Sequence, residues 1–331
     1  MNKSKSIINW ALVGAGGISN KFLEGLRAAD GNPVAIVSRS LERAKEFASK
    51  NNIEKYFDNY DQMLEDPSID VVYIGTPHPT HKDLTIRALN AKKAVLCEKP
   101  SAINAAELKE MVKAARENNC FFMEAMWTRF LPPLLAVRNW LSQGCIGDVK
   151  TVHANFGYNT PYVPESRIFD PYQGGGALLD AGIYPLSLIS MVFGGKKPVD
   201  IKSQLFLGES GTDEEAAVIL SYGGHRIAFA AAANRTELTN DAWIFGTKGK
   251  ILVPKFIWGR AATLILDGKE DEHFNGEIIS NGFNYEAIEV MNCIKEGKIE
   301  SSVMTWDESI VLMEIMDTIR AQWNFRYPSE M

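Results

Sequence analysis

The sequence predicts an α/β half followed by an α+β half. The first is a doubly wound parallel sheet, and the second a large, mostly antiparallel open sheet flanked by helices. Three observations carry this expectation. Short, continuously apolar strands alternate with helical patterns up to about Ala125. From Val149 the strands lengthen, alternate polar with apolar residues and follow one another on short turns. The length of 331 residues, with 46% hydrophobic and 23% charged residues, suits two domains with sizeable cores.

In chain order, Ile7 to Val13 reads as a strand, followed by a glycine-rich turn and a helical pattern through Ala29. Pro33 to Ser38, Asp70 to Gly75, Ala94 to Cys97 and Cys120 to Ala125 are further strands. Leu41 to Lys50, Thr80 to Asn90 and Asn104 to Asn118 are the intervening helices. Continuously apolar strands separated by helices predict a parallel sheet covered on both faces, wound by right-handed crossovers. In the second half the strands are Lys150 to Phe156, Ile201 to Leu207, Ala216 to Tyr222, Ile227 to Ala233, Trp243 to Phe245, Lys250 to Val253 and Thr263 to Leu266. Turn signals at Tyr222-Gly223-Gly224, Thr247-Lys248-Gly249 and Asp267-Gly268 make neighbours antiparallel. Helices are expected at Ala177 to Val192, Asn284 to Lys295 and Trp306 to Trp323. The domains are therefore expected at residues 1–126 and 127–331.

Composition narrows the function classes. A formal net charge of -6 disfavours a nucleic-acid footprint. The four cysteines, Cys97, Cys120, Cys145 and Cys293, form no CxxC pair and read as free thiols in a reducing compartment. No uninterrupted run of about 18 apolar residues is present, so no membrane partner is expected. Met1 to Ser6 is basic but leads into a strand rather than a signal-peptide core, which points to a cytoplasmic protein.

Five segments carry chemistry. Gly14-Ala15-Gly16-Gly17-Ile18-Ser19 joins the first strand to the first helix, where glycines let backbone amides approach a pyrophosphate. Ser19 replaces the third glycine of the usual pattern, and a small residue still permits close helix–strand packing. The second strand ends in Val37-Ser38-Arg39-Ser40, with Arg43 one turn later and no carboxylate at the tip. A carboxylate there would favour a free ribose hydroxyl, whereas Ser38, Arg39 and Arg43 suit a 2′-phosphate. NADP(H) is therefore the expected cofactor, with NAD(H) as the alternative; solvated surface charges are the plainer reading of the two arginines. Gly75-Thr76-Pro77-His78-Pro79-Thr80-His81 forms a rigid loop at the same sheet edge, with Thr80 a possible cap for the next helix. Its histidines lack a ligand cluster, so structural or cofactor-lining roles are expected and no metal. Cys97-Glu98-Lys99-Pro100 presents Lys99 at the carboxyl end of a strand, where open α/β sheets bind ligands.

The fifth segment, Tyr172 to Pro185, contains Gly174-Gly175-Gly176 and then a helix. Asp180 and Tyr184 are four apart and share a face. A carboxylate and a phenol so aligned suit polyol recognition and proton transfer, and a neighbouring ammonium such as that of Lys99 would favour the phenolate. A capping Asp and an amphipathic Tyr are the plainer alternative.

Together, Gly14-Ala15-Gly16-Gly17-Ile18, Gly75-Thr76-Pro77, Glu98-Lys99-Pro100 and Gly174 to Gly182 resemble the Gfo/Idh/MocA family (glucose–fructose oxidoreductase, inositol dehydrogenase, rhizopine catabolism) in order and spacing along essentially the whole chain. Glu124-Ala125-Met126-Trp127-Thr128-Arg129-Phe130 is similar to the dimeric dihydrodiol dehydrogenase and glucose–fructose oxidoreductase branch. Many members carry His where this chain has Tyr184, and the dihydrodiol dehydrogenase branch carries Tyr. The resemblance implies an N-terminal Rossmann domain and a C-terminal sheet that forms a homodimer face. It also implies that Lys99 and Tyr184 work together on a carbinol of a sugar, polyol or cyclic diol, with Asp180 orienting a substrate hydroxyl. The cofactor-binding candidates are then Gly14, Gly16, Gly17, Ile18, Ser38, Arg39, Arg43, Thr76, Pro77, His78, Glu98, Lys99, Trp127 and Arg129. A catalytically silent dinucleotide sensor of the same fold is the competing class; retention of Lys99, Asp180 and Tyr184 argues against it.

Overall fold

A computed structural model describes residues 7–331, so the basic hexapeptide at the N-terminus lies outside the described residues. The chain forms two compact units. The first comprises residues up to Ala102, then Ala106–Trp127 and Ile279–Trp306; the second comprises Ile103–Ala105, Thr128–Ile278 and Asp307–Met331.

The first unit is a six-stranded parallel sheet built from β1 (Asn9–Val13), β2 (Asn32–Val37), β3 (Lys55–Phe57), β4 (Val71–Ile74), β5 (Ala94–Glu98) and β6 (Phe122–Ala125). The order is β3-β2-β1-β4-β5-β6. Every residue of β4, β5 and β6 is buried, which explains their uninterrupted apolar character. Helices α1 (Gly17–Ala28), α2 (Leu41–Lys50), α3 (Tyr60–Leu64), α4 (His81–Asn90) and α5 (Ala105–Asn118) fill the crossovers. The order reverses between β1 and β4, which makes their carboxyl ends the topological switch point. The sequence reading missed β3 and α3, which are too short, at three and five residues, to show periodicity. A local signal for α3 exists, since the Asn59 side chain caps it by accepting the Gln62 amide at 3.2 Å.

The expected boundary at 126/127 does not describe one further segment. Helix α8 (Phe283–Lys295) belongs to the first unit and packs on α1. The approach is close at Gly25, where a Cβ would lie 2.7 Å from Phe283 Cβ and 2.8 Å from the Asn284 amide nitrogen.

The second unit is an eight-stranded sheet in the order β14-β13-β12-β11-β7-β10-β9-β8. Its strands are β7 (Val149–Gly157), β8 (Asp200–Leu207), β9 (Asp213–Gly223), β10 (Arg226–Ala233), β11 (Ala242–Gly246), β12 (Gly249–Val253), β13 (Ala261–Leu266) and β14 (Glu272–Asn275). All pairs are antiparallel except β7 with β10. Register sorts the two faces. Ile201, Leu220, Ala228, Val152, Ile244, Ile251 and Leu264 form one cross-strand row and are buried. The next row, on the other face, runs Lys202, Ile219, Phe229, His153, Trp243, Leu252 and Thr263. Helices α6 (Pro132–Ser142), α7 (Ile183–Val192) and α9 (Trp306–Gln322) complete the fold, with α7 against β7 and β10. The sequence reading missed α6, whose Pro132-Pro133 start resembles a loop although proline is tolerated in a first helical turn. It also missed the polar edge strand β14.

The stretch Pro171–Val192 is long and apolar enough to cross a membrane by length and composition, contrary to the expectation that no such stretch exists. It escapes a search for uninterrupted apolar runs because Asp180 and several glycines interrupt it. In the fold, 89% of its most apolar window is buried, which accounts for the composition.

Candidate active site

The carboxyl edge of the first unit collects the loops singled out from sequence. Gly14 follows β1, Ser38 follows β2, Gly75 follows β4 and Lys99 follows β5. Gly14 has φ +97°, and a Cβ there would meet the Gly75 carbonyl oxygen at 2.9 Å, so the loops on either side of the switch point pass in contact. Helix α1 begins at Gly17 with Gly16 as its cap, no side-chain cap hydrogen bond and no acidic residue in its first turn. A Cβ on Gly16 or Gly17 would meet nothing within 4 Å. Uncapped amides at a helix N-terminus, with open space before them, fit a pyrophosphate. Arg39 and Arg43 are exposed at the end of β2 and the start of α2, and Ser40 caps α2 by accepting the Arg43 amide at 3.3 Å.

The Gly75–His81 loop is held from below. The buried His81 ring places Nδ1 2.9 Å from the Pro100 carbonyl oxygen and Nε2 2.8 Å from that of Thr76. It therefore joins the loop after β4 to the loop carrying Lys99. His78 is also buried, with its ring edge-on to His81 at 5.7 Å. Among the described residues no group of three or more His, Cys, Asp or Glu could hold a metal ion. Glu98 is buried; its Oε1 accepts the Tyr73 hydroxyl at 2.6 Å and its Oε2 accepts the Lys99 amide at 3.2 Å. Trp127 is buried and stacks on Phe283 at 4.9 Å.

In the second unit, Leu178–Gly182 is a single π-helical turn that runs into α7. Such wide turns recur at functional sites because they re-aim side chains. Asp180 and Tyr184 are each 8% exposed. Asp180 Oδ2 accepts the Tyr158 hydroxyl at 2.5 Å, and Oδ1 accepts Arg167 Nη2 at 3.0 Å. Burial, and then the Asp180 carboxylate, push the Tyr158 phenol far up, so Tyr158 stays a neutral donor. The Tyr184 ring meets Phe156 edge-on at 5.5 Å. The turn is seated by Asp213 of β9, which is fully buried and accepts the Leu178 amide at 2.5 Å. Desolvation raises the Asp213 carboxyl to about 6, against backbone amides that lower it.

Two expected site residues are already engaged in this geometry. Asp180 is expected to orient a substrate hydroxyl, and each of its oxygens also takes one protein donor, from Tyr158 and from Arg167. Arg129 is expected among the cofactor-binding residues. Its guanidinium is instead buried within the second unit, bonded through Nε to Ser187 Oγ (2.7 Å) and through Nη2 to Ser187 O (2.7 Å) and Glu308 Oε1 (2.5 Å). A buried guanidinium needs several acceptors, and α7 and α9 supply them. Sequence reasoning missed Tyr158, Arg167 and Asp213. Tyr158 follows directly on an alternating strand and was within reach; Arg167 sits in an irregular loop and Asp213 is distant in sequence, so neither carries a local signal.

A doubly wound sheet with an uncapped glycine turn at its switch point, together with a second unit carrying a buried phenol and carboxylate, defines the class of two-domain nicotinamide-dinucleotide oxidoreductases. The chain belongs to the Gfo/Idh/MocA family. Residues 8–126 match the oxidoreductase family with an NAD-binding Rossmann fold, and residues 134–252 match the GFO/IDH/MocA C-terminal domain. The chain is 41% identical over 329 residues to trans-1,2-dihydrobenzene-1,2-diol dehydrogenase of Xenopus laevis, covering 96% of this chain and 99% of the relative. It is 39% identical to the Homo sapiens enzyme of that name, covering 98% and 99%. Among solved structures, levoglucosan dehydrogenase in complex with NADH and levoglucosan superposes with a TM-score of 0.88 at 20% identity, covering 96% of this chain and 97% of that one. A 3-ketoreductase from Actinomadura kijaniata in complex with TDP-benzene and NADP gives 0.80 at 23%, covering 95% and 97%. The protein is an NAD(P)-dependent oxidoreductase acting on CH–OH groups.

Proposed function

We propose that the protein transfers hydride reversibly between NADP(H) and a secondary or hemiacetal alcohol, or the matching carbonyl, of a sugar, polyol or cyclic diol. Tyr184 exchanges the hydroxyl proton. Lys99 hydrogen-bonds the reacting oxygen and favours the phenolate. Asp180 holds Arg167 as a donor, and the Tyr158 phenol oxygen as an acceptor, for neighbouring substrate hydroxyls. The observation that carries this reading is the placement of the Tyr184 phenol one turn on from an anchored Asp180, in a chain 41% identical to a diol dehydrogenase over nearly its whole length. The bound nicotinamide supplies or accepts the hydride; Gly16, Gly17 and the amides of the first turn of α1 would hold its pyrophosphate. Arg39 and Arg43 support the NADP(H) preference as exposed cations at the tip of β2.

Positioned acid–base groups contribute about 10²–10⁴-fold. Tyr184→Phe is therefore expected to lower kcat by about 10²-fold or more, with NADPH affinity within about 2-fold. Full turnover by Tyr184→Phe across diols, aldoses and ketoses overturns the assigned role. Lys99→Met is expected to impair turnover as well, and Lys99→Met/Tyr184→Phe together to cost no more than the worse single change, because groups acting as a unit are not additive. Tight NADPH binding without turnover on any substrate would instead favour a sensor. Arg39→Ala/Arg43→Ala is expected to raise KM for NADPH at least about 10-fold while leaving NADH less affected, since phosphate-clamping bonds are charge-assisted. A kcat/KM for NAD above that for NADP in the parent enzyme removes the preference.

We also propose a homodimer through the outer sheet face. Phe206, Ile219 and Phe229 are 61%, 43% and 39% exposed there, and His153 packs between Phe229 and Phe245. Apolar side chains of this size on one open face are expected to be covered.

A further inference from the structure

Glu286 is a buried acid that the proposed chemistry does not use. It lies on α8, is fully buried, and neither carboxyl oxygen has a hydrogen-bond partner. An isolated carboxylate in such a place is costly, and the group keeps its proton instead. Its electrostatic neighbour is Glu98, the residue before Lys99. Glu98 differs in kind: both of its oxygens accept donors, from the Tyr73 hydroxyl and the Lys99 amide. Tyr73 is itself fully buried and stacked on Phe22 of α1 at 3.8 Å. Two buried carboxyls of the first unit thus feel one another, Glu98 held by protein donors and Glu286 without a hydrogen-bond partner.

We propose that Glu286 is a positioning residue for Lys99: it stays the neutral acid, so that Glu98 is the single negative charge of the pair and keeps its bonds to Tyr73 and to the Lys99 backbone. No proton is transferred during turnover; one proton is retained by a pair of acids. If both ionised, mutual repulsion would drive Glu98 off these donors and move the Lys99 loop. Burial, reinforced by the Glu98 charge, raises the Glu286 carboxyl well above its usual range. The groups around the pair are Tyr73 of β4 and the Cys97 thiol of β5, with the buried Glu124 carboxylate of β6 beyond Cys97, where it accepts the Ser101 amide at 2.9 Å. Helix α1, packed on α8, turns Phe22, Leu23, Gly25 and Leu26 inward and leaves Lys21, Glu24 and Arg27 exposed.

The sign of the pH dependence follows. A carboxyl whose folded pKa is raised lets the native state hold a proton that the unfolded state has released, so stability falls as pH rises from about 4.3 toward the folded value. Glu286→Gln is always neutral and escapes that loss. Its Tm relative to the parent is expected to climb steadily from pH 5 to pH 8, while kcat/KM at neutral pH stays within about 3-fold and the alkaline limb of its pH profile moves up. Carbon-13 titration of the parent enzyme's glutamate side chains, with the signal missing from Glu286→Gln as assignment, is expected to show one carboxyl still protonated at pH 7. Should the variant fail to fold, the titration of the parent alone decides: no protonated glutamate at pH 7 overturns the proposal. Superimposable pH profiles, or a kcat/KM loss above 10-fold for Glu286→Gln, overturn it too. The inference rests on the role given to Lys99, but the readouts separate: an active Lys99→Met would remove that role and leave the titration of Glu286 unchanged.

Discussion

At the scale of single residues, the chemistry a side chain performs depends on which of its atoms are already engaged. Arg129 is a cofactor-binding candidate by its segment, yet its guanidinium is committed to Ser187 and Glu308. Removing one partner of a buried ion pair strands the other charge, at a cost of about 3–5 kcal/mol. Arg129→Leu is accordingly expected to lose about 3 kcal/mol in urea unfolding. A loss of NADPH affinity with unchanged stability would instead return Arg129 to the cofactor. Lys99, Asp180 and Tyr184 are proposed as site residues from residue type and motif. Arg167 carries no local signal, because its role comes from an oxygen of Asp180, 13 positions away in the chain; Tyr158, directly after a strand, was within reach, but its pairing with Asp180, 22 positions away, was not.

At the scale of elements, the π turn at Leu178–Gly182 and its seat on Asp213 decide where Asp180 and Tyr184 stand. Asp213 is raised to about 6. Its contribution to stability is fully present below the unfolded value of about 3.9 and is lost as pH rises through about 6. Asp213→Asn lacks this loss, so its Tm relative to the parent is expected to be lowest at pH 4 and to rise by pH 7. A flat difference across that range contradicts the burial argument. Asp213→Ala leaves the Leu178 amide buried without its acceptor and is expected to cost about 1–3 kcal/mol in the same measurement. The α1–α8 packing offers a second check. Alanine is normally better than glycine inside a helix by about 1 kcal/mol. Gly25→Ala is expected to destabilise nonetheless, because its Cβ would fall 2.8 Å from the Asn284 backbone nitrogen. A rise in Tm would show that α8 yields easily.

At the scale of the whole molecule, the outer sheet face carries the prediction of a dimer. Light scattering at micromolar concentration is expected to give about twice the 36.8 kDa chain mass, and Phe229→Glu, which places a charge on that face, is expected to shift the species toward the single chain. A parent protein that scatters as 36.8 kDa removes the dimer.

What the sequence determined by itself was the fold class, most strands and helices, and the glycine, Glu-Lys-Pro and Asp-to-Tyr motifs. These are local: periodicity of two or 3.6 residues, and turn chemistry within a few positions, are written along the chain. Only the tertiary structure decided that residues 279–306 rejoin the first unit, that Asp180 takes Tyr158 and Arg167 as donors, that the Arg129 guanidinium is tied to Ser187 and Glu308 and that Glu286 is buried without a hydrogen-bond partner. Each of these depends on burial and on neighbours distant in sequence. Whether a carboxyl or guanidinium acts, anchors or keeps its proton is set by the donors and dielectric around it, which no short stretch of chain contains.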